Sequence, residues 1–120
     1  MRLVDHLAIY IDEEYGADIS CIIHVAWEDS GHSTDGQGDH RDGAAVDLHF
    51  TKVTLLNQFL AAERFPFGGI GIYPYWNNPG LHLDIRNVVR GARWWRDKDG
   101  SYKKLNEEWL KIMMGMKNGS

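Results

Sequence analysis

The chain is poor in several things that would define a class. Cys21 is its only cysteine, which excludes an internal disulfide and a thiolate metal cluster. It sits in the apolar run 19–27, where a buried, inert thiol is expected. No run approaches the roughly 18 to 20 apolar residues needed to span a bilayer. The opening stretch MRLVDHLAIYIDEEYG has no uninterrupted apolar centre and no small-residue cleavage site, so it does not read as a secretory signal. The expectation is a protein that is cytoplasmic as synthesised and stays there unless something else releases it. Positive charge is also scarce. With 13 Lys and Arg against 17 Asp and Glu, the net charge is −4, which argues against nucleic acid as a partner. Internal repeats and low-complexity tracts are missing too.

What is present is an ordinary globular composition, 43% hydrophobic and 25% charged, over a length that suits one domain spanning residues 1–120. Leu3, Val4, Leu7, Ala8 and Ile11 recur at helical spacing up to Gly16, and predict a helix over 2–15. Residues 19–27 read as a strand, and 28–43, dense in Gly, Asp, Ser and His, as a long loop of the kind that carries function. Residues 44–50 alternate, with Val46, Leu48 and Phe50 to one side and Asp47 and His49 to the other. A second helix is expected from Val53 to about Arg64, ended by Pro66, then a strand over 69–73 and a turn over 76–80. Residues 81–86 alternate again, with His82, Asp84 and Arg86 opposite Leu81, Leu83 and Ile85. A hairpin around Asp99-Gly100 and a last helix capped by Asn106 complete the chain. The class is α+β, a small, mainly antiparallel sheet with flanking helices.

Two strands thus present metal-competent side chains on one face. Asp47 and His49 do so on the first, His82 and Asp84 on the second. Polar groups gathered on a covered sheet face are costly unless paired, and a shared cation resolves that cost. His40 precedes Asp47 by seven residues, and the segment GDHRDGAA lets the loop fold back to set it beside Asp47. Two imidazoles and a carboxylate form a catalytic zinc set with a fourth position for water. Asp84 is the candidate general base and Arg86 the candidate clamp for a substrate carboxylate or oxyanion. Each has a plainer reading. Asp84 can pair with Arg86 or Arg90 or orient His82, and Arg86 can be a surface ion pair. His49 is a possible support to the site. His6, His24 and His32 read as ordinary residues, Trp94 and Trp95 as core and hairpin packing. The acidic loop does not match a calcium-loop spacing. A facial iron triad would need a histidine after His82, and none follows.

The segment His40-Arg-Asp-Gly43-Ala-Ala45-Val-Asp47 resembles the H-x-x-G-x-A-x-D signature of the D-Ala-D-Ala metallopeptidases. These belong to the group named after lysostaphin, D-Ala-D-Ala metallopeptidase and sonic hedgehog. His82-Leu-Asp84-Ile-Arg86 resembles the H-V-D-x-R segment of the branch found in phage lysins and bacterial wall peptidases. Gly69-Ile-Gly71-Ile-Tyr73-Pro and Ala92-Arg-Trp94 are similar to that branch as well, so the likeness runs from about residue 19 to 95. The resemblance implies a hedgehog-like or D-Ala-D-Ala-peptidase-like fold and one zinc per chain on His40, Asp47 and His82. It also implies hydrolysis of a peptide bond in the peptidoglycan stem or cross-link, with a stem peptide or muropeptide as partner. The chain departs from the pattern at Gly38, where many members have Ser, and at Ser30-Gly31-His32-Ser33, where many carry an Arg. Pro79 stands where several branches place an acidic base, which leaves Asp84 for that duty. A non-hydrolytic zinc domain of a phage or wall-associated assembly is the alternative.

Overall fold

Alternation in the middle strands decides the architecture, because each has one aliphatic side and one polar or glycine side. The computed structural model describes residues 2–16, 18–27, 45–85 and 91–116. Helix α1 (Arg2–Tyr15) buries Val4, Leu7 and Ile11 and stops at Gly16, whose φ of 108° suits glycine. Strands β1 (Cys21–Trp27) and β2 (Ala45–Phe50) follow, then α2 (Leu55–Ala62), β3 (Gly69–Tyr73), β4 (Gly80–Asp84), β5 (Ala92–Arg96), β6 (Tyr102–Lys104) and α3 (Glu107–Gly115). The expected helices and strands are therefore found, with their described ends shifted by a residue or two, while the expected loop over 28–43 lies outside the described residues. Cys21 is half-buried, and burial pushes its thiol up to about 11, helped by the charge of Asp5.

The six strands form one open sheet in the order β1-β2-β4-β3-β5-β6. Every neighbouring pair is antiparallel except β3 and β5. Val46, Leu48 and Phe50 of β2, Leu81 and Leu83 of β4, Ile70 and Ile72 of β3 and Trp95 of β5 are buried in a single cluster with the apolar stripes of the helices. Helix α2 packs on β4 and β3, with α1 and α3 beside it. Thr54 caps α2 by accepting from the Asn57 amide, and Asn106 caps α3 by accepting from the Trp109 amide at 2.8 Å.

One polar side chain lies inside this core with every need met. Gln58 is fully buried; its Oε1 accepts from the Phe50 amide at 3.0 Å, and its Nε2 donates to the carbonyls of Phe50 (3.2 Å) and Val53 (2.9 Å). It fixes the bend by which β2 enters α2. At the other end of the sheet, Gly100 with φ 90° closes the β5–β6 hairpin, its amide donating to the Asp97 carbonyl. Among the described residues, no helix is long and apolar enough to cross a membrane.

Candidate metal centre on the polar sheet face

Asp47 and His82 stand directly opposite each other on the paired strands β2 and β4, and Gly71 of β3 lies opposite His82 on its other side. This register brings together two residues 35 apart in sequence, with His82 Nδ1 and Asp47 Oδ1 at 2.9 Å. Two positions further along β4, Asp84 turns back on the same ring, its Oδ2 2.9 Å from His82 Nε2. The imidazole is thus clamped between two carboxylates, with its side chain 17% exposed. Burial disfavours its charged form. The hydrogen bonds and charges of Asp47 and Asp84 outweigh that and push His82 up to about 9. Asp47, His82 and Asp84 share the polar face while Leu83 and Val46 are buried on the other, as the alternation predicts.

Glycine makes the room. A Cβ on Gly69 would lie 2.5 Å from Asp84 Oδ2, and one on Gly71 would lie 2.5 Å from the Trp94 indole. Glycine costs strand propensity, and here it admits the carboxylate and the indole against the backbone. Trp94 lies tilted beside His82, with ring centroids 5.5 Å apart. Tyr73 continues the same face of β3 and meets Tyr102 edge-on with ring centroids 6.5 Å apart; burial raises its pKa and keeps it neutral. Trp76, from the β3–β4 turn, stacks on Tyr73 at 4.2 Å and sets its edge toward His24 at 6.3 Å. An aromatic wall therefore runs along one side of the Asp47–His82 pair. Beyond it, Tyr75 and Trp76 line a cleft of about 220 Å³ with Arg96 and Lys98.

A metal can be tested against this donor set. Ligand atoms about 2.1 Å from a tetrahedral zinc stand roughly 3.4 Å apart, so the Asp47–His82 pair fits after opening by about 0.5 Å. Asp84 on the second ring nitrogen completes the carboxylate–histidine arrangement that orients a metal-binding imidazole. Among the described residues, no group of three His, Cys, Asp or Glu side chains suited to a metal ion is found. His40, the third expected ligand, and Arg86, the expected clamp, lie outside the described residues.

Four contributors, Gly69, Gly71, Trp94 and His24, were given no role in the site by sequence. Gly69 and Gly71 read as strand residues and as part of the motif resemblance, but not as room for the site, since the groups that fill their space come from β4 and β5. Trp94 and Trp95 read alike, yet parallel pairing with β3 turns Trp94 to the site and buries Trp95 completely. His24 sits at an irregularity between Ile23 and Val25, and its Nε2 lies 2.6 Å from His49 Nδ1. No protein-family model, no curated protein and no solved structure matches the chain.

Proposed function

We propose that the chain is a zinc-dependent peptidase that hydrolyses peptide bonds of peptidoglycan, of the D,D-carboxypeptidase or endopeptidase type. The observation that carries the reading is His82, with Asp47 at one ring nitrogen and Asp84 at the other, beside a wall of aromatic rings. The motif resemblance supplies the substrate class and the roles of His40 and Arg86. Zinc held there would polarise a carbonyl oxygen and lower the pKa of a water to about 7. His82 presents Nδ1 as a ligand atom, and Asp47 supplies a carboxylate beside it. Asp84 fixes the ring by accepting from Nε2–H. That bond favours a positioning role for Asp84 over the general-base role expected from sequence, and the two roles have different consequences.

The test uses the purified chain with isolated peptidoglycan and a cross-linked muropeptide, products being read by mass spectrometry. Cleavage that stops with chelator and returns with zinc is expected. Retention of zinc with no bond cut in any wall would favour the non-hydrolytic binding domain, to which Pro79 and the missing loop Arg also point. Asp84→Asn separates the two roles. A base leaves zinc affinity intact while turnover falls roughly 100-fold or more. A positioning residue weakens zinc affinity by about 10- to 100-fold.

A further inference from the structure

A second pair of metal-competent nitrogens lies on the same face, away from His82. His24 Nε2 and His49 Nδ1 are 2.6 Å apart, with their ring planes only 19° from parallel and centroids 4.8 Å apart. Rings in this relation point nitrogen at nitrogen, and at this distance a single hydrogen is shared between them. His49 is held from below, since it is buried in β2 next to the backbone of Gly80. His24 comes from β1, where the pairing slips between Ile23 and Val25 and leaves it as the extra residue. Such a bulge re-aims a side chain, and here it aims an exposed imidazole at a buried one.

We propose that His24 and His49 form a second metal site for an imidazole-preferring divalent ion such as Zn2+, Ni2+ or Cu2+. Water completes the coordination on the exposed side of His24. Borderline ions of this kind favour imidazole, whereas Mg2+ and Ca2+ favour oxygen. A bound ion needs the two nitrogens to part by somewhat under 1 Å, which the exposed His24 can supply. The site is separate from the first. His49 lies two residues from Asp47 on one strand face, about 7 Å along the strand, whereas paired catalytic metals stand about 3.5–4 Å apart. Neither site therefore shares a bridging ligand with the other.

The experiment is equilibrium dialysis of the full chain against Zn2+ and, separately, Ni2+, with histidine resonances followed by NMR. Two equivalents of zinc are expected in the wild type. His24→Ala should lower the count to one and leave the His82 resonances responsive to metal. Since His24 is exposed, that variant keeps the core intact. Two linked ligands gain on the order of 100-fold over one, so the remaining affinity at His49 should fall by about that factor. His24→Gln, which can still hydrogen-bond to His49, should also lose the second equivalent. A wild type that binds only one equivalent in all, and loses it in His24→Ala, would leave this site standing and remove the zinc peptidase reading. Uptake identical in wild type and both His24 variants overturns the proposal.

Discussion

His82 carries the sharpest consequence at the scale of single residues. Both of its ring nitrogens face carboxylates, a geometry that suits the imidazolium donating at both ends. Its pKa is raised in the fold, from 6.5 to about 9. The stabilisation is therefore fully present below the unfolded value near 6.5 and is lost as pH rises through about 9. Metal-stripped protein should lose on the order of 2 kcal/mol between pH 6 and 10, whereas His82→Gln should show a flat profile there. A wild-type melting temperature that does not fall over that range would remove the clamp. The same site tests its glycines. Gly69→Ala puts a methyl where Asp84 Oδ2 now lies, and Asp84 must swing off His82. Zinc affinity should drop about 10- to 100-fold, the scale of losing the partner on the second ring nitrogen, while circular dichroism stays unchanged. Unchanged zinc affinity in a folded Gly69→Ala would show that Asp84 does not position the ring.

Elements divide by whether their cause is local. Helix α1 was legible because its apolar spacing and the glycine stop are contained in one short segment. The Asn106 cap and the hairpin at Gly100 were legible for the same reason. So was the facing of β2 and β4, since a period of two leaves no freedom once Leu48 and Leu83 must be buried. The buried Gln58 was not legible: a polar residue on a helix is ordinarily solvated, and its partners appear only when the β2–α2 bend folds over it. Gln58→Leu keeps the volume and strips three hydrogen bonds from that bend. It should cost about 2–4 kcal/mol in urea unfolding, because backbone groups lose partners in a place water does not reach. A loss below about 1 kcal/mol would mean that the bend finds other partners.

At the scale of the whole molecule, long-range pairing sets the site. The order β1-β2-β4-β3-β5-β6 puts β3 next to both β4 and β5, so Gly71 lies between His82 and Trp94. No local pattern encodes that, which is why Trp94 and Trp95 could not be told apart from sequence. The same pairing means that a metal on Asp47 and His82 joins two strands separated by α2 and β3, and so binds the fold and not the unfolded chain. Mass action then predicts its size. At a free zinc concentration 100 times the dissociation constant, the gain is about 2.7 kcal/mol. For 120 residues, an unfolding entropy of about 2.1 cal/mol/K per residue turns this into a rise of roughly 10 °C in melting temperature. The measurement belongs in the His24→Ala background, where the second pair is silent. Asp47→Asn in that background removes a charged ligand at nearly constant shape, and should abolish most of the rise. His40→Ala should do the same if the resemblance assigns the third ligand correctly. Equal shifts with and without Asp47 would mean that the ion stabilising the fold sits elsewhere, and the β2–β4 pair would lose its claim to the metal.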